Sequence, residues 1–112
     1  ELIQTDIITD RTVIDVMAFT MNAKSIPYQD KEAFETYASE FIREYDHIFY
    51  ISPYGLPIED NGVRETDEHY RDLIDFTITT LIKRYGHRCQ SVEKISGSTE
   101  ERIQQILNIT NL

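Results

Sequence analysis

Asp10 and Arg11 stand side by side at the end of an apolar run, Ile7-Ile8-Thr9, and a helical rhythm opens directly after them at Val13, Ile14, Met17, Ala18 and Met21. A carboxylate can hold a divalent metal or accept a proton. A guanidinium offers a planar, bidentate fork for phosphate that lysine cannot reproduce. Adjacent at the carboxyl end of a strand, the two would occupy the junction where open α/β sheets bind ligands. They could handle a metal ion and a phosphate together. The companion such a pair usually has, a glycine-rich phosphate loop, is missing: none of Gly55, Gly62, Gly86 or Gly97 precedes a lysine.

Other residues compete for chemical roles, each against a plainer reading. From spacing alone, Asp10-Arg11 also reads as a helix-capping acid beside a surface arginine. Asp15 suits an exposed first-turn carboxylate at the positive end of a helix dipole. Arg64 lies in a loop and Arg71 one turn into a helix, where its spacing also suits an ion pair with Asp67 or Asp75. The acids Glu59, Asp60, Glu65, Asp67 and Glu68 lack the alternating ligand spacing of an EF-hand loop. His47, His69 and His87 form no zinc-ligand pair, and G-x-S-x-G is absent. Cys89 reads as a small apolar packing residue, and the tyrosines Tyr37, Tyr45, Tyr70 and Tyr85 as core-edge residues.

These residues need elements to position them. A first strand is expected over Leu2–Thr9 and a helix from Thr12 to about Lys24, which Pro27 ends. Asp30 is a good N-cap for a second helix with apolar positions Phe34, Tyr37, Ala38, Phe41, Ile42 and Tyr45. His47–Ile51 reads as a buried strand before Ser52-Pro53, and 54–65 as a long loop. Thr66 caps a third helix with the stripe Tyr70, Leu73, Ile74, Thr77, Ile78, Leu81, Ile82 and Tyr85, closed by Gly86 at C′. Arg88–Ile95 is the last strand. Ser98 and Glu101 form a capping box for a final helix whose inward face is Ile103, Ile106 and Leu107. Helices between strands imply right-handed crossovers and a parallel α/β sheet with flanking helices.

Size and charge bound the rest. A chain of 112 residues, 40% of them apolar, holds one modest core. Twenty acids against eleven bases give a net charge of −9. Such a chain repels nucleic acid and anionic membrane as a whole. No apolar run nears the roughly 20 residues of a membrane span, and no signal-peptide pattern opens the chain. Lone Cys89 fits a reducing cytoplasm. The start at Glu1, almost directly in a strand-like segment, reads as a start inside a domain.

Asp10-Arg11-Thr12 with Asp15 and Phe19 resembles the D-R-x-x-x-D-x-x-x-[FY] signature of P-loop small-molecule kinases of the nicotinamide riboside kinase and thymidylate kinase kind, and most of all the NadR-like P-loop ATPases with an AAA-type domain. Phe49–Pro53 with Asp60-Asn61-Gly62-Val63-Arg64 resembles the strand and lid of that group, and Ser96-Gly97-Ser98 with Glu101-Arg102 its closing turn near the nucleotide base. The resemblance implies ATP and Mg2+ as cofactors and a nucleoside, nucleotide or similar small hydroxylated molecule as acceptor. It implies Asp10 as metal-facing carboxylate or general base, Arg11 as the residue holding the acceptor, and Arg64 closing over the phosphates with Arg71 beside it. Asp15, Ser96, Gly97 and Ser98 would contact substrate or nucleotide. It also implies that a central phosphate-loop strand is absent from this chain. The gap would call for a missing N-terminal half, a swapped second copy or a rearranged sheet, and the chain alone should transfer no phosphate. Two rival readings are a nucleotide-sensing module and a non-catalytic interaction domain.

Overall fold

The computed structural model describes residues 7–53 and 68–111. Four α-helices and two strands follow one another as α1 (Val13–Met21), α2 (Tyr28–Ser39), β1 (His47–Ile51), α3 (Glu68–Tyr85), β2 (Ser91–Ile95) and α4 (Thr99–Thr110). Short 3-10 turns at Glu40–Glu44 and Gly86–Arg88 lead into the two strands. The strands pair in parallel, Ile48 against Val92 and Ile51 against Ile95, with α3 as the connection between them. This mixed helix-and-strand architecture with a parallel pair agrees with the α/β expectation.

The described part of the first expected strand is not a strand. Ile7, Ile8 and Thr9 adopt no regular structure, and the two isoleucines are 77% and 85% exposed. An apolar run becomes a strand when neighbours take up its hydrogen bonds and bury its side chains. Among the described residues these three have neither. Residues 2–6, the whole 54–65 loop and the Thr66 cap lie outside the described residues.

Helix ends also differ from expectation where local chemistry outweighs apolar rhythm. The first helix is shorter than expected because Asn22 caps it: its side-chain amide and backbone N–H both donate to the Ala18 carbonyl. The second begins at Tyr28 after Pro27, whose φ of −61° presets the entry, and Asp30 sits inside it. The stripe from Phe34 to Tyr45 is not one helix. It tightens after Ser39 into the 3-10 turn, which drives Ile42 fully into the core. Gly86 likewise starts a 3-10 turn rather than a left-handed C′ cap.

The core gathers Ile14, Met17 and Ala18 of α1, Ala38 of α2, Ile42, Ile48 of β1, Ile74 and Leu81 of α3, and Cys89. Residues three, four and seven apart on a helix share a face, so this set joins three helices to one side of the sheet. Cys89 packs as an apolar residue with its thiol directed at the Tyr45 carbonyl, 3.2 Å away. A polar seam locks α2 to α3: Arg84 reaches Glu35 at 2.7 Å, Tyr85 donates its hydroxyl hydrogen to the same carboxylate, and Arg88 reaches buried Ser39 at 2.9 Å while lying over the Tyr85 ring. α4 stands apart. None of its residues is buried, and Ile103 and Leu107, expected to face inward, are 52% and 37% exposed. No described helix is long and apolar enough to cross a membrane.

Candidate functional site

The segment that enters α1 is held in an uncommon conformation. Arg11 has a φ of +81°, in the left-handed region that favours glycine. A non-glycine residue held there costs on the order of 1–3 kcal/mol and persists only where the surroundings impose it. The surroundings here are identifiable. Thr9 donates its hydroxyl hydrogen to the Arg11 carbonyl at 3.0 Å on one side. On the other, Thr12 caps α1 through the Ile14 N–H, and Asp15 accepts the Thr12 N–H at 2.8 Å, completing a capping box. Arg11 is the link between two anchored turns. Its guanidinium lies 5.8 Å from the centre of the Phe19 ring, which in turn lies 6.4 Å from Tyr70 of α3.

That guanidinium borders a cleft of about 650 Å³. Asp10, Arg11 and Asp15 line one wall, Tyr70, Arg71, Ile74 and Asp75 of α3 another, and Ile106 reaches it from α4. Ile48, Phe49, Tyr50 and Ile51 all line it. Successive strand residues point to opposite faces, so the cleft runs along the edge of β1 rather than over one face. β2 occupies the other edge, and no described strand occupies this one. The cleft also takes in Ile51, Pro53 and Ile95, at the carboxyl ends of both strands. Ligands of open α/β sheets are found at that rim.

The structure thus brings four of the expected site residues, Asp10, Arg11, Asp15 and Arg71, onto one cavity. Asp15 serves the capping box as well as lining the wall. Arg71 has its Nε 3.7 Å from Asp72 rather than from Asp75, and Asp67, the other partner its spacing allowed, lies outside the described residues. Arg64 lies outside the described residues. Ser96, Gly97 and Ser98 do not line the cleft, because local structure uses them. The Ser96 backbone is bracketed by the Gln105 side chain at 3.2 and 2.7 Å, Gly97 turns the chain at a φ of +101°, and Ser98 caps α4 through the Glu101 N–H. The Ser98 N–H donates to Glu101 at 2.8 Å, and that backbone bond, followed by the one from the Ser98 side chain, lowers the Glu101 carboxyl below the usual range.

One contact in the cleft has no counterpart in the motif reading. Tyr50 of β1 donates its hydroxyl hydrogen to Asp75 of α3, inside the cleft. The signal available for Asp75 was weak: an acid within the apolar stripe Ile74, Ile78, Ile82. Nothing in the sequence pairs it with a tyrosine 25 residues earlier.

Asp10 is an exposed single carboxylate, and the described residues hold no cluster of three or more metal-ligating side chains. A magnesium ion takes one or two carboxylates and completes its shell with phosphate and water, so Asp10 fits that mode and would be the ligand. No protein-family model matches the chain, and neither a curated protein nor a solved structure matches it.

Proposed function

We propose that the cleft along β1 is the acceptor side of an ATP- and magnesium-dependent phosphoryl-transfer enzyme, acting on a nucleoside, nucleotide or similar small hydroxylated molecule within a P-loop kinase-like fold. The observation that carries the reading is the strained Arg11. A left-handed arginine at the mouth of a cleft, beside an exposed aspartate and at the carboxyl ends of parallel strands, is a placement that stability alone does not favour. Asp10 either faces the magnesium ion or takes the proton of the acceptor hydroxyl. Arg11 holds an anionic group of the acceptor with its fork, and the Phe19 ring beneath limits the directions the fork can take. Magnesium-bound ATP supplies the phosphoryl group when present; the glycine-rich cradle for it is not among the 112 residues, so this chain by itself transfers no phosphate.

The test is transfer of labelled phosphate from ATP to a panel of nucleosides by the product of the full reading frame. Asp10→Asn should lower kcat by about 10²–10⁴-fold, the range for a lost general base. Wild-type turnover in Asp10→Asn and Arg11→Ala together, or robust turnover by the 112 residues alone, ends the reading.

A second reading draws on a different observation. The apolar residues Ile51, Ile103 and Leu107 are 45%, 52% and 37% exposed, which favours an interaction domain that covers them with a partner. Light scattering that finds a nucleotide-indifferent dimer supports it over the enzyme.

A further inference from the structure

We infer that Asp75, oriented by Tyr50, is the group that selects the acceptor, taking a hydrogen bond from a hydroxyl or amino group of a ligand in the cleft. This rests on reading the cleft as the acceptor side. Asp75 sits on α3 between Ile74 and Ile78, which line the same cavity, and Arg71 lies one turn earlier on the same face. A carboxylate among isoleucines is unfavourable unless its oxygens find donors. The fold supplies one donor. The Tyr50 hydroxyl engages Oδ1. Among the described residues Oδ2 accepts no hydrogen bond and is not a buried orphan, so it is open to an incoming donor, and Asp75 lines the cavity.

The pair is a neutral donor on a charged acceptor, so the negative charge stays in place and a ligand donor can still be drawn to it. The phenol fixes the carboxylate's orientation from the strand, which leaves little rotamer freedom to lose when a ligand arrives. With the Arg11 guanidinium on the wall, the cleft suits a molecule with an anionic group and, at a distance from it, a hydroxyl or amine. A purely apolar or purely anionic ligand leaves Asp75 unanswered. Tyr50 is a positioning residue in this scheme, since its hydroxyl donates to Asp75.

The experiment measures binding of adenosine, cytidine, guanosine and uridine and their 5′-monophosphates to the full chain by ligand-observed NMR, with thermal unfolding of each variant alongside. Asp75→Asn keeps an oxygen for Tyr50 and turns an NH₂ toward the cavity. It should weaken the best-bound member by about tenfold or more, the worth of a hydrogen bond to a charged group, with Tm unchanged. Tyr50→Phe should weaken it less, because the carboxylate remains but is no longer aimed. Equal binding by Asp75→Asn and wild type overturns the assignment while leaving the acceptor cleft standing. A fall in Tm for Asp75→Asn that matches Tyr50→Phe, with binding lost in step, assigns the pair to the fold and overturns it as well. Absence of binding by the wild-type chain overturns the assignment together with the acceptor reading.

Discussion

At position 11 the side chain and the backbone ask for different residues. The φ of +81° is one glycine adopts freely, whereas the proposed anion site calls for a guanidinium. Arg11→Gly should therefore raise stability, by about 1 kcal/mol, while removing anion binding at the cleft. Arg11→Ala should remove binding without that gain, because alanine keeps the strain. Urea denaturation beside phosphate titration separates the two variants; a less stable Arg11→Gly would mean the conformation carries no strain. The residue scale is also where the sequence was least legible. Asp10, Arg11 and Asp15 could be picked out because a helix start and a short motif put them within six positions. Asp75 could not, since its partner Tyr50 is brought to it by the packing of α3 on β1. Ser96, Gly97 and Ser98 resemble a ligand turn, and a capping box such as the one Ser98 forms has the same composition.

Among the elements, those defined by a regular apolar stripe were legible: α3, α4 and the strand His47–Ile51 stand essentially where the pattern puts them. Ends were not. Asn22, Pro27 and the 3-10 turn after Ser39 act through single hydrogen bonds and fixed torsions that periodicity does not register. The turn before α4 is the most sensitive joint. A Cβ at Gly97 would lie 2.6 Å from Glu101 Oε1, and its φ of +101° disfavours any side chain. Gly97→Ala should destabilise the chain by about 1–2 kcal/mol and disturb the capping box; an unchanged thermal midpoint would refute this. The same box makes α4 sensitive to acid. Because the folded-state pKa of Glu101 is lowered, its contribution is present above the unfolded value of about 4.3 and disappears as pH falls through the folded one. NMR titration of the Glu101 carboxyl should find it below that value, with α4 amides losing protection from exchange as it protonates.

For the whole molecule, charge and coverage set the behaviour. A net charge of −9 on 112 residues strains the compact state through self-repulsion. Raising sodium chloride from about 0.02 to about 0.5 M shortens the Debye length from roughly 20 Å to about 4 Å, and the thermal midpoint should rise. A flat or falling midpoint over that range would show that local ion pairs, such as Arg84 with Glu35, outweigh the global field. The α/β class was legible because helices alternate with strands; which edge no described strand would pair was not, since that depends on how the strands pair. The flank of β1 that no described strand pairs, seen from outside the molecule, is a template for other copies. At neutral pH mutual repulsion keeps them apart. Dialysis toward the isoelectric point near 4.7 removes that guard, so acid precipitates of this chain should be ordered ribbons joined flank to flank, binding thioflavin, rather than amorphous clumps.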